Sequence, residues 1–426
     1  MDIPGYRTRI ADGRLEALLK AFGAVCVEGP KWCGKTWTAR RHSQSEFAVA
    51  DPSGNFQNRK LVGLDVESAF LGAHPHLIDE WQEFPELWDA TRSHVDAGRG
   101  KGLYILTGSS TPRRKGVMHG GTGRIATLRM RPMSLWECGW SEGIVSLRDV
   151  CEGRFSGVRP CRRPSLRELA EWIVRGGWPG ALELPFESAA EIPRAYVRQL
   201  AENDIRRVDD VRRDVRKIGL LMRSLARNES TTAGVATLCR DISEQEGQRV
   251  DSDTVGVYLD ILRRLFVIED QPAFASNIRS PVRVKQSDKR HFCDPSLACA
   301  LLKAGPERLL GDLTTFGFLF EALAERDLRI YCEAFGASLF HYQDYADREI
   351  DAVVELENGD WTAIEIKLGT NQEEEAADSL LKLRDRLARQ KGGRPPSALV
   401  VLVGLSSAAY RRKDGVCVVP LSSLRP

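Results

Sequence analysis

One local pattern constrains this chain more than any other: an apolar run that leads straight into a glycine-bounded loop and then into a helix-compatible stretch. The run is Ala24 to Val27, and the loop is Gly29-Pro30-Lys31-Trp32-Cys33-Gly34-Lys35-Thr36. G-x-x-x-x-G-K-T between a strand and a helix builds a phosphate cradle. Gly29 and Gly34 let backbone N–H groups curl around β- and γ-phosphates, and the helix N-terminus adds positive potential. Lys35 reaches the β/γ oxygens and Thr36 ligates Mg²⁺, while Pro30, Lys31, Trp32 and Cys33 complete the cradle. The implied cofactors are ATP and Mg²⁺.

A second strand pattern supports the first. Pro75-His76-Leu77-Ile78 ends in two adjacent carboxylates, Asp79 and Glu80. One acid is needed in the magnesium shell and one to orient or deprotonate the attacking water, so Asp79 takes the metal role and Glu80 the base role. Leu103 to Leu106 reads as a further buried strand, with Thr107 and Ser109 at its carboxyl end, where parallel sheets place ligands. Between Ala97 and Trp136 stand eight Lys or Arg residues and no Asp or Glu. Within that positive stretch Arg124, on a glycine-rich loop, is a candidate arginine finger.

The chain has 426 residues, enough for about three domains. Sixty-one basic against fifty-nine acidic residues leave a net charge of +2, so a nucleic-acid surface requires local clustering. Ten cysteines without a C-x-x-C pair fit thiols in a reducing compartment. No H-E-x-x-H zinc motif occurs, and the longest apolar run, Ala398 to Val403, is far too short to span a membrane. A soluble cytoplasmic protein is the expectation.

Four strings extend the pattern: Glu28-Gly-Pro-Lys-Trp-Cys-Gly-Lys-Thr36, Leu77-Ile-Asp-Glu-Trp-Gln82, Ile105-Leu-Thr-Gly-Ser-Ser110 and Arg131-Pro-Met-Ser-Leu-Trp-Glu137. Together they resemble a large bacterial and archaeal family that joins an AAA-type P-loop ATPase to a carboxy-terminal domain of unknown function. The resemblance implies nucleotide binding through Gly29, Gly34, Lys35, Thr36, Asp79 and Glu80.

Residues 153–164 are rich in Gly, Pro and Arg and mark a boundary. The helical stretch beyond stops at Gly176-Gly177-Trp178-Pro179-Gly180, an elbow expected to pack the helical domain against the ATPase. From Thr231 to Phe274 the order of helix, loop, helix and strand looks like a winged helix, with Val255, Tyr258, Leu259 and Leu262 forming one buried stripe. Its wing, Asn277 to Arg290, carries Arg279, Arg283, Lys285, Lys289 and Arg290 against one acid, Asp288. That surface suits duplex phosphates, and equally a protein-binding module with a solvated basic hairpin. The mixed-sign run from Arg206 to Lys217 reads as an ion-paired surface helix.

Toward the carboxyl end, Asp351 and Glu365-Ile366-Lys367 fall on successive strands, and residues two apart share a strand face. Two acids can share Mg²⁺ while the lysine orients water, which gives Asp351 and Glu365 metal roles and Lys367 a catalytic one. The set resembles the PD-(D/E)-x-K nuclease superfamily, and the resemblance adds Glu321 as the helix acid. Ile350 stands where that superfamily has proline. An exposed ion pair, or a nuclease-like fold that grips DNA without cutting, remain open beside cleavage.

The sequence therefore predicts an α/β protein: a P-loop NTPase parallel sheet over 1–152, a helical and winged-helix domain over 165–304, and a small PD-(D/E)xK-like α/β domain over 305–426. Expected partners are ATP and DNA, with oligomers possible and no membrane. The alternative is a nucleotide-gated protein-interaction switch with an inactive nuclease-like domain.

Overall fold

The computed structural model describes residues 4–98, 100–111, 120–205, 214–246, 250–277, 280, 282–344, 348–389 and 393–426. Two compact units emerge. The first holds 1–132, 202–213 and 260–267; the second holds 133–201, 214–259 and 268–426.

In the first unit, strands β1 (Ala24–Glu28), β2 (Ser45–Ala48), β3 (His76–Asp79), β4 (Tyr104–Gly108) and β5 (Ile125–Arg129) form one sheet in the order β2-β3-β4-β1-β5. Every pairing is parallel. A sheet covered on both faces needs apolar side chains on both, which explains the unbroken apolar run in β1. Ala24 and Cys26 pack with Ile78, Leu106 and Leu87 on one face. Val25 and Val27 pack with Leu15, Leu77, Ile105 and Leu128 on the other. All five strands point the same way, so the carboxyl ends of β1, β3 and β4 share one edge.

The second unit is built around a seven-stranded sheet. Its strands are β7 (Val158–Pro160), β10 (Ser338–Gln343), β11 (Glu349–Glu355), β12 (Trp361–Gly369), β13 (Ala398–Leu405), β14 (Ala408–Arg411) and β15 (Cys417–Pro420). The order is β10-β11-β12-β13-β15-β14-β7. β11 and β12 are antiparallel; β12 and β13 are parallel, joined through the helix Glu373–Arg389. That helix lays Ala376, Leu380, Leu383 and Leu387 against Val353, Ala363, Val401 and Val418. Their i, i+4, i+7 and i+11 spacing is what one helical face requires. β7 lies in the segment that the sequence marks as a domain boundary.

Helices Val215–Arg227, Val235–Glu246 and Ser252–Arg264 precede an antiparallel pair of β8 (Ile268–Gln271) and β9 (Lys289–Phe292). The remaining pair, β6 (Val145–Ser146) and β16 (Leu424–Arg425), is parallel. At the glycine elbow, Gly177 donates its N–H to Asp294 at 2.9 Å and accepts from Met133 N at 2.6 Å, and Trp178 Nε1 donates to Ser296 Oγ at 2.9 Å. Those partners all lie within the second unit. All ten cysteines are free thiols. Among the described residues no helix is long and apolar enough to cross a membrane.

Candidate functional site

The loop after β1 starts the helix Lys35–Arg41. Two glycines make the turn possible. A Cβ at Gly29 would stand 2.1 Å from the Met130 carbonyl oxygen, and Gly34 has φ +100°, left-handed backbone that side chains disfavour. Lys35 is 5% exposed and donates from Nζ to the Pro30 carbonyl at 2.8 Å. Lys31 pairs with Asp204 at 2.5 Å, Trp32 is largely exposed, and Cys33 is fully buried.

Beside the loop, Thr36 Oγ1 donates to Asp79 Oδ1 at 2.9 Å and Thr107 Oγ1 donates to the same oxygen at 2.5 Å. Burial pushes the Asp79 carboxyl above its ordinary range, while these two hydroxyls oppose the shift. Glu80 sits at φ 57°, its N–H on Thr107 Oγ1 at 3.1 Å, and its carboxylate accepts from Ser109 Oγ at 3.1 Å and from Gln82 Nε2. β1, β3 and β4 thus bring Gly29 to Thr36, Asp79, Glu80 and Thr107 to one edge. Ser109 and Gln82, which lie within two of the strings that carry the family resemblance, hold the Glu80 carboxylate.

Arg124 is not brought to this edge. Its carbonyl accepts from Ala24 N at the opposite, amino end of β1, and its Nε pairs with Asp96 at 2.8 Å. Five strand residues separate that end from the loop, about 16 Å at roughly 3.3 Å per residue. The glycine loop that suggests a swinging cation lies at the wrong end of β5, so Arg124 is no finger for the cradle of its own unit. Arg129, at the right end of β5 and paired in register with Glu28, has its guanidinium 4.0 Å from the centre of the Phe266 ring.

The structure also brings the carboxy-terminal set together, and adds a member. Lys367 Nζ lies 2.7 Å from Glu365 Oε2 and 3.4 Å from Asp351 Oδ2, and Ile366 N donates to that same Asp351 oxygen at 2.7 Å. Lys289, 1% exposed, holds Glu321 at 2.8 Å and Glu349 at 2.6 Å, with Asp351 at 4.0 Å. Burial pushes the Glu321 carboxyl up to about 7 and the Glu365 carboxyl up to about 8. The sequence presents Lys289 as a wing cation; no periodicity signals that its partners come from residues 321–351.

That placement corrects the wing. Lys289 is spent inside the second unit. Arg283 forks onto Glu355 at 2.7 and 3.1 Å and stacks over Phe274 and Phe340. Arg290 donates to the Ala233 carbonyl. Arg279 and the run from Arg206 to Arg213 lie outside the described residues. Among the described residues no group of three or more His, Cys, Asp or Glu side chains is arranged to hold a metal. Asp351 Oδ2 faces Lys367 and Ile366 N, and the two Glu365 oxygens face Lys367 and Ser379 Oγ.

The parallel sheet, the glycine-cut loop and the paired acids at one strand edge define a P-loop nucleotide-binding site. Residues 21–139 match the family model of an AAA domain, residues 166–308 match a domain of unknown function (DUF8612), and residues 316–424 match another (DUF4143). The chain carries an AAA-type P-loop ATPase domain followed by these two domains. No curated protein gives a significant match. Among solved structures, the Walker-type ATPase PABY2304 of Pyrococcus abyssi is similar, at 14% identity over 68% of this chain and 94% of that one. Its TM-score of 0.42 is too low to carry a conclusion.

Proposed function

We propose that this protein binds ATP with Mg²⁺ between Gly29 and Thr36, hydrolyses it, and uses the nucleotide state to control a partner held by the second unit. The observation that carries the reading is the convergence of Thr36 and Thr107 on Asp79 Oδ1, one residue before Glu80. A hydroxyl and a carboxylate are the hard oxygen donors magnesium prefers, so Thr36 and Asp79 fit the ion, which when bound neutralises phosphate charge. Lys35 leaves the Pro30 carbonyl for the β/γ oxygens. Glu80, held by Ser109 and Gln82, takes a proton from the water attacking the γ-phosphorus as the bond to the ADP oxygen breaks. ATP-dependent phosphate release by the wild-type protein tests this; none at all would overturn it.

For the rest of the chain we infer a winged-helix domain within 165–304 and a nuclease-like but non-cutting domain within 305–426. Three helices followed by the β8–β9 pair support the first. Asp351 on β11 and Glu365 with Lys367 on β12, followed by a helix and parallel β13, support the second. The buried cations of the wing favour a protein partner over duplex DNA. A DNA titration at low salt decides between them: no binding supports the switch, and affinity that falls steeply with salt restores the DNA reading.

A further inference from the structure

We propose that Arg9 is a positioning residue of the nucleotide site, acting through the backbone of the phosphate loop; this rests on the ATPase reading above. Arg9 immediately precedes the helix Ile10–Ala21, and is 6% exposed. Its Nη1 donates to the Cys33 carbonyl at 2.7 Å and its Nη2 to the Arg131 carbonyl at 2.8 Å. A planar guanidinium that bonds two carbonyls at once fixes both oxygens relative to one plane.

The Cys33 oxygen matters because its peptide unit also carries the Gly34 N–H. In a trans peptide the C=O and the next N–H point in opposite directions. Holding the Cys33 oxygen on the Arg9 side therefore turns the Gly34 N–H to the other side, at the start of the helix Lys35–Arg41 where phosphate is expected. The loop is also tied at its base: Met130 N donates to the Glu28 carbonyl at 2.7 Å, and the Gly29 Cα approaches the Met130 oxygen too closely for any side chain. Arg9 ties its tip.

Arg9 is itself braced. Its backbone N–H donates to Asp12 Oδ2 at 2.8 Å; Asp12 Oδ1 accepts from Tyr6 at 2.6 Å and lies 3.0 Å from His42 Nε2. Tyr6 lies 3.0 Å from Thr38, on the phosphate helix, and His42 caps that helix's far end. Residues 6–12 thus grip both ends of the helix that opens the cradle. Preformed N–H donors bind a charged ligand without the cost of ordering them on contact.

The test is ATP titration by calorimetry together with steady-state hydrolysis on wild type, Arg9→Lys and Arg9→Met. Lysine has one ammonium and cannot reproduce the planar fork. Both variants should raise Kd and KM for ATP about tenfold or more, with kcat within about threefold, because a donor lost to ground and transition states alike appears in KM. Millimolar guanidinium ion should restore part of the affinity of Arg9→Met, which a general loss of packing would not allow. If Arg9→Met does not fold, Arg9→Lys carries the test. Folded variants that bind ATP as wild type does, or that lose kcat alone, overturn the role of Arg9. A wild type that binds no ATP would instead overturn the ATPase reading itself.

Discussion

Lys35 reaches back from the first turn of its helix to the Pro30 carbonyl, 2.8 Å away, so the phosphate loop closes on its own lysine. The ammonium is already desolvated, and phosphate oxygens replace one carbonyl by several charged acceptors. Lys35→Ala should abolish ATP turnover, read as phosphate release. Retention of more than about a tenth of the wild-type rate would contradict the role.

Glu80→Gln keeps the size and hydrogen bonding of the side chain but cannot accept a proton from water. ATP affinity should stay within about threefold while kcat falls about a hundredfold or more. Hydrolysis at the wild-type rate would return the base assignment to another residue.

Arg124→Ala should leave kcat unchanged within about twofold, since the residue stands at the amino end of β1. A large loss that appears only at protein concentrations where copies associate would show instead that Arg124 serves a neighbouring copy's site.

Lys289→Met removes a buried cation from between Glu321 and Asp351, both partly buried, and the exposed Glu349. Leaving Glu321, Glu349 and Asp351 without it should cost about 3–5 kcal/mol in unfolding free energy, measured by urea denaturation. In the same preparations, plasmid nicking with Mg²⁺ or Mn²⁺ should be equal for wild type and Asp351→Ala; nicking that only wild type performs would restore cleavage.

The raised Glu365 carboxyl gives a pH test. Burial lifts it to about 8 in the folded protein, so between its ordinary value near 4.5 and about 8 the folded chain holds a proton that the unfolded chain has released. Stability from this group is complete below that window and is lost as pH rises through it. Unfolding midpoints should fall from pH 5 to pH 8 in wild type, and fall less in Glu365→Gln. Parallel pH profiles would rule out a contribution from Glu365.

The nucleotide site was legible because its parts are local. Gly29 to Thr36 form a continuous stretch, and Asp79 with Glu80 end a strand whose direction is set by the parallel sheet, so spacing along the chain carried the geometry. Strand periodicity likewise puts Glu365 and Lys367 on one face of a strand, whereas Glu321, on a helix, enters only through the resemblance. Charge partnership was not legible. Arg283 and Lys289 looked like free wing cations, yet the fold sets them against Glu355, Glu321 and Glu349. Arg124 looked like a finger because glycines flank it, yet strand direction carries it away.

Sequence by itself determined the phosphate loop, the paired acids and the alternation of strand and helix around them, since each depends on neighbours within a few residues. Tertiary structure alone decided which cations are buried, which carboxylates they neutralise, and that Arg9 meets Cys33 and Arg131. A charge acts over a few ångströms in space, and no periodicity records which distant segment will bring its partner.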